Sequence, residues 1–71
     1  MARTLIKNER FQIIGSLDDE GSKIVARDFY GRILGYYEKQ YDVTKDFYGR
    51  IVARGDITSG LIWQEYNKNP F

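Results

Sequence analysis

Asp28-Phe29-Tyr30-Gly31-Arg32-Ile33 recurs unchanged at Asp46-Phe47-Tyr48-Gly49-Arg50-Ile51, 18 residues later in a chain of 71. An identical hexapeptide at that offset marks an internal repeat, and a repeat this short is a single supersecondary unit. Aspartate first and glycine fourth is the signature of a type I turn followed by a residue in the left-handed region, where glycine has no Cβ to clash. Between extended segments that combination closes a hairpin with a three-residue loop and a bulge at the glycine. Asp18-Asp19-Glu20-Gly21 carries the same pattern. Asn8-Glu9-Arg10-Phe11 begins with a suitable residue, but Phe11 lacks glycine's freedom, so this turn is expected to differ.

Working outward, the turns cut the chain into runs of about six residues rich in Ile, Val, Thr and Tyr, the length and composition of strands. Strands are expected near Thr4–Lys7, Gln12–Leu17, Ser22–Arg27, Arg32–Tyr37, Tyr41–Lys45 and Arg50–Arg54. Tight turns make consecutive strands antiparallel neighbours. The fold class is therefore all-β: an antiparallel meander of about six short strands built from 18-residue strand-turn-strand repeats. It forms one small domain over residues 1–66. Asp56-Ile57-Thr58-Ser59-Gly60 offers helix caps, and Ile57, Leu61 and Glu65 share a helical face, so a C-terminal helix is expected; a seventh strand through Leu61, Ile62 and Trp63 is the alternative. Residues 67–71 read as a loose, flexible tail.

The turn geometry also predicts cross-strand pairs. Asp28 should face Arg32, Arg27 face Ile33, Ala26 face Leu34 and Val25 face Gly35. In the second copy Asp46 should face Arg50, Lys45 face Ile51, Thr44 face Val52 and Val43 face Ala53. Alternation then puts Tyr41, Val43, Ile51 and Ala53 on a buried face, matched by Val25, Ile33, Gly35 and Tyr37. The opposite face of the first hairpin, with Ile24, Leu34 and Tyr36, is too apolar for a solvated surface and hints at a second buried contact such as a subunit interface.

Composition narrows the function. A core from so short a chain rarely supplies more than ~3–5 kcal/mol, and small scaffolds add a staple. With no cysteine there is no disulfide, and with no histidine either a structural zinc site is not expected. Self-association remains, so a homo-oligomer is expected. The formal net charge of +1 is small for a domain that relies on phosphate contacts. No run approaches the ~18 apolar residues of a membrane span, and Met1–Lys7 lacks a signal-peptide core, so a cytoplasmic protein is the expectation. Without His or Cys the usual nucleophile–base arrangements are missing, and Gly31-Arg-Ile-Leu-Gly35 lacks the ending of a phosphate loop. No catalytic residue, cofactor or metal is assigned, and a non-enzymatic protein is expected. Arg54-Gly55-Asp56 spells the integrin tripeptide by coincidence. Asp18, Asp19 and Glu20 read as turn chemistry, since a calcium loop needs more ligands at fixed spacing.

The segments Val25-Ala-Arg-Asp-Phe-Tyr-Gly-Arg-Ile-Leu-Gly-Tyr-Tyr37 and Val43-Thr-Lys-Asp-Phe-Tyr-Gly-Arg-Ile-Val-Ala53 resemble the short bacterial and phage proteins described as four-fold β-flower proteins, whose repeats run strand, Asp-x-x-Gly-Arg, strand. The resemblance spans roughly residues 4–63 and is strongest at 24–54. It is also weakly similar to the tyrosine-aspartate repeats of large secreted toxins, which come in far longer arrays. It implies a β-repeat fold and brings no catalytic residues with it.

Two constellations carry binding chemistry. Phe29, Tyr30, Phe47 and Tyr48 occupy turn tips, where polar residues are usual. Either they fold back over a thin core, or they form an interaction surface; Leu34, Tyr36 and Trp63 are the apolar residues expected to extend it. Arg32 and Arg50 stand beside Tyr30 and Tyr48, and with Arg27, Arg54, Lys23 and Lys45 they could contact a single-stranded nucleic acid. The competing reading pairs each Arg with the Asp opposite. The functional expectation is a non-enzymatic interaction or structural module that binds itself or another protein. The alternatives are a small nucleic-acid-associated protein and a phage-encoded inhibitor that docks on a host defence complex.

Overall fold

A computed structural model describes residues 2–68. Six strands follow in chain order: β1 (Ala2–Lys7), β2 (Ile13–Asp19), β3 (Lys23–Asp28), β4 (Ile33–Glu38), β5 (Val43–Asp46) and β6 (Ile51–Arg54). They form one sheet in the order β1-β2-β3-β4-β5-β6, with every neighbouring pair antiparallel. A single helix, α1 (Thr58–Lys68), follows. The meander expected from the repeat is the observed fold, and the C-terminal segment is helix rather than a seventh strand. Asn67 and Lys68, expected in a loose tail, form the last turn of α1; the remainder of that tail, residues 69–71, lies outside the described residues.

The hexapeptide turns are built as their sequence predicts. Asp28 and Arg32 pair through Asp28 N–H to Arg32 C=O (2.9 Å), and Gly31 N–H donates to Asp28 C=O (3.0 Å). The second copy repeats both bonds at 2.9 and 3.0 Å between Asp46, Arg50 and Gly49. Gly31 and Gly49 share φ +84°. The Asn8 turn, expected to differ, is a third copy: Asn8 N–H donates to Gln12 C=O and Phe11 N–H to Asn8 C=O, both at 3.0 Å. Phe11 takes the left-handed conformation itself, with φ +63°. The hydrogen-bonding frame of the turn thus overrides the side chain's preference, at a cost of roughly 1–2 kcal/mol. The Asp18–Gly21 turn is the one that departs. Asp19 and Glu20 stay in the ladder, Glu20 N–H bonding Lys23 C=O, and Gly21-Ser22 forms a two-residue loop with only Gly21 at positive φ. Glycine in the first central position suits a II′-type hairpin, whose twist matches the strands.

The register expected close to each turn holds for Arg27 with Ile33 and for Lys45 with Ile51, then slips by one. Ala26 faces Gly35 rather than Leu34, Val25 faces Tyr36, Thr44 faces Ala53 and Val43 faces Arg54. A β-bulge accounts for each slip: Leu34 and Val52 are the extra residues, as Ile14 is between β1 and β2. One extra residue exchanges the faces of everything beyond it. Val25, Val43 and Ile51, assigned to the buried face, lie on the side away from α1; Val25 is buried there as expected, at 4% exposure, whereas Ile51 is exposed, as is Ile33 beside the turn. Ile24 and Leu34, read as a hint of a subunit contact, lie on the side that α1 covers.

The bulge has a packing role. It puts Ile14-Gly15 and Leu34-Gly35 on the helix side, a large residue beside a small one. Ile14, Ala26 and Ile62 form the buried cluster, with Ile6, Leu17, Leu34, Leu61 and Tyr66 packed around it. A Cβ on Gly15 would strike Ile62 and the Arg27 carbonyl, and one on Gly35 would strike Leu61 and the Lys45 carbonyl. The glycines let α1 settle onto the sheet. The helix packs mainly across β2, β3 and β4, which leaves the helix side of the β5–β6 hairpin largely uncovered. Thr44, fully buried, sets where the helix starts: its hydroxyl donates to Gly55 C=O (2.6 Å) and accepts from Ile57 N–H (3.1 Å). Asp56 accepts from Thr58 N–H just ahead of the first turn.

Candidate interaction surface

The three Asx-x-x turns join β1–β2, β3–β4 and β5–β6, so the meander delivers all of them to one end of the sheet. Neighbouring turns are two strands apart, about 9–10 Å. The C-terminal half of α1 reaches the same end, where Asn8 Nδ2 donates to the Tyr66 hydroxyl (3.2 Å).

Each hexapeptide turn joins its aromatic rings, arginine and aspartate in one bonded unit. Asp28 Oδ1 accepts from Tyr30 N–H and Arg32 N–H, and Asp28 Oδ2 accepts from Arg32 Nε at 2.7 Å. The guanidinium lies over the Tyr30 ring, 5.6 Å from its centroid, and Phe29 meets Tyr30 edge to face at 5.3 Å and 85°. In the second copy the Arg50 Nε bond to Asp46 is 3.0 Å, the Arg50–Tyr48 separation 5.5 Å, and Phe47 meets Tyr48 at 5.4 Å and 84°. The backbone N–H of Arg50, followed by its guanidinium, holds the Asp46 carboxyl below the usual carboxylate range. Identical sequence yields near-identical geometry, with the four rings 50–78% exposed. In the third copy Asn8 Oδ1 accepts from Arg10 and Gln12 N–H in the same way, and the exposed ring is Phe11, at 83%.

Beside the third turn an open groove of about 720 Å³ runs between α1 and the β5–β6 hairpin. Ile33, Leu34, Phe47, Val52, Ile57 and Leu61 supply its apolar lining; Asp46, Arg50, Gln64, Glu65 and Lys68 make about half of it polar.

The residues singled out from sequence divide among three places. Phe29, Tyr30, Phe47 and Tyr48 gather at the turn end. Leu34 is half-buried under α1 and reaches the groove. Tyr36 lies on the open sheet face with Lys23 over its ring at 5.2 Å, and Trp63 is on the helix, edge to face with Tyr66 at 5.9 Å. The cations divide too. Arg32 and Arg50 are at the turn end, each held by the aspartate opposite. Arg27 (bound to Asp18 and to Gly31 C=O), Lys45 (bound to Glu38), Lys23 and Arg54 share the open face with Arg3 and Lys7. Asp18, gripped by Arg3 and Arg27, is held below the usual carboxylate range by those bonds, the Arg3 bond foremost. Sequence reasoning missed Phe11 and the groove residues Val52, Ile57, Leu61, Glu65 and Lys68. Aligning Asn8-x-x-Phe11-Gln12-Ile13-Ile14-Gly15 on Asp28-x-x-Gly31-Arg32-Ile33-Leu34-Gly35 would have found the first.

Among the described residues no group of three acidic side chains could hold a metal ion, and no helix is long and apolar enough to cross a membrane. No protein family, curated protein or solved structure matches this chain.

Proposed function

We propose that the protein is a non-enzymatic interaction module that works by self-association through its aromatic turn end. The observation that carries this reading is the pair of matching Phe-Tyr-Arg units, exposed at one end of the sheet, with each arginine and turn backbone bonded to its own aspartate. Rigid aromatic side chains lose little entropy on contact and are typical interface anchors. The charges in each unit cancel internally, which suits an apolar contact between like surfaces. The need for a partner follows from the core: Ile14, Val25, Ala26 and Ile62 are its buried apolar residues, while Phe11, Tyr30, Tyr41, Phe47, Tyr48 and Ile51 all stay more than half exposed. A Tyr30→Ser/Tyr48→Ser double variant tests the reading by sedimentation velocity. Retained β-sheet circular dichroism with conversion of oligomer to monomer supports it; an unchanged sedimentation coefficient removes it.

A second reading rests on the open sheet face, where Arg3, Lys7, Lys23, Arg27, Lys45 and Arg54 outnumber Asp18, Glu20 and Glu38. A single strand of nucleic acid would meet that excess through its phosphates, with Tyr36 as a stacking ring. This reading requires retention of oligonucleotides at low salt that weakens steeply as salt rises; no retention at low salt eliminates it.

A further inference from the structure

Phe11 is the anomaly of the molecule. Among the described residues it is the bulky one with positive φ, Asp42 being the other non-glycine, and it is the most exposed of the large hydrophobic side chains. The equivalent position in the other two Asx turns is glycine. The turn's hydrogen bonds hold the backbone in this conformation, but the side chain gains nothing from it in the single chain, since the ring is in water. Residues held in a disfavoured backbone region tend to mark contact sites.

The same end of the molecule holds a cavity that such a ring would fill. The groove between α1 and the β5–β6 hairpin is open, about half apolar and half polar in its lining, and next to the turn farthest from Phe11 along the rim. When two copies meet turn end to turn end about a two-fold axis through the middle turn, the order of turns reverses. The Asn8 turn of one copy then faces the Asp46 turn and groove mouth of the other, twice over. Such a contact is self-complementary and closes at a dimer. The flanking charges suit it. Glu9 and Arg10 border Phe11, Glu65 and Lys68 border the groove, and none of the four has an ion-pair partner among the described residues.

We infer that Phe11 of each copy inserts into the α1/β5–β6 groove of a second copy, with Glu9 and Arg10 against the partner's Lys68 and Glu65, forming a two-fold dimer. This inference rests on the self-association reading and specifies its geometry. It has an unusual signature, because the residue that strains the monomer is the one that joins the dimer.

The experiment is sedimentation equilibrium and thermal melting of the full chain and its variants. Phe11→Gly should raise the dimer dissociation constant about tenfold or more, as loss of an interface anchor does, while the low-concentration monomer melts at a higher temperature. Lys68→Glu should weaken the dimer, and adding Glu9→Lys should restore it. A Phe11→Gly dimer as tight as that of the unaltered chain overturns the inference while leaving self-association through the Tyr30 and Tyr48 units in place. A Lys68→Glu dimer that Glu9→Lys fails to rescue overturns the arrangement of charges. An unaltered chain that is monomeric at every concentration overturns both readings together.

Discussion

At the scale of the residue, the conformation of position 11 is decided by hydrogen bonds rather than by its side chain. Asn8 supplies the same acceptors as Asp28 and Asp46, and a turn with those bonds needs a left-handed fourth residue whatever occupies it. Replacing Phe11 by glycine removes roughly 1–2 kcal/mol of strain and returns about 0.5–1 kcal/mol through the greater freedom of the unfolded chain. The expected gain is about 0.5–1 kcal/mol in the monomer, a few degrees in melting temperature for a domain of this size. The reverse change tests the same physics: Gly31→Ala, at φ +84° with open space around it, should cost about 1 kcal/mol through backbone strain alone. Urea denaturation of both variants checks the pair, and a destabilised Phe11→Gly with an unaffected Gly31→Ala would contradict it. Gly15→Ala is a different case. Its backbone is ordinary but a Cβ would meet the Arg27 carbonyl and Ile62, so the helix must shift, at about 1–3 kcal/mol.

At the scale of the element, the sequence showed strands and hairpins well because aspartate, glycine and β-branched residues carry local information. The six strands lie within a residue or two of their expected bounds. The bulges were not legible. Leu34 and Val52 read as ordinary strand residues, and nothing local says that one of them is extra. Only the helix laid over Gly15 and Gly35 requires the slip, and that is a tertiary constraint. The same gap hid the helix's effect on Ile24 and Leu34, whose apolar character belongs to an internal contact. Phe29, Tyr30, Phe47 and Tyr48 stood out in the sequence because aromatic turn tips contradict turn chemistry, and they are exposed together at one end of the sheet. The groove did not, since its residues come from four separate segments. The junction between sheet and helix offers a further test. Thr44→Val keeps the shape but leaves Gly55 C=O and Ile57 N–H without their buried partner, which should cost about 1–3 kcal/mol. The loss should appear first as faster amide exchange in the opening turn of α1; exchange confined to β1 would contradict this.

At the scale of the whole molecule, a six-stranded sheet carries one helix on one side and a largely charged surface on the other. The open side is held by charge, where Asp18 bridges Arg3 and Arg27 across three strands; on the α1 side Lys39 reaches Asp19. The carboxyls of Asp18, Asp19 and Asp46 are all held below their ordinary range, by the Arg3 bond, the Lys39 bond and the Arg50 N–H respectively. A carboxyl that gives up its proton more readily in the folded chain adds stability above the unfolded value of about 3.9, and that stability is lost as pH falls through the lower folded value. The urea midpoint should therefore hold steady from neutral pH down to about 5 and decline below about 4. Asp18→Asn should flatten part of that decline; a midpoint that rises on acidification would contradict the account.

The uncovered turn end and groove make the central claim one about mass in solution. Light scattering on the unaltered chain across a range of micromolar concentrations tests it most directly. The account predicts a reversible, concentration-dependent rise to twice the 8.3 kDa of one chain, with no larger species. A particle of one chain's mass at every concentration would contradict it.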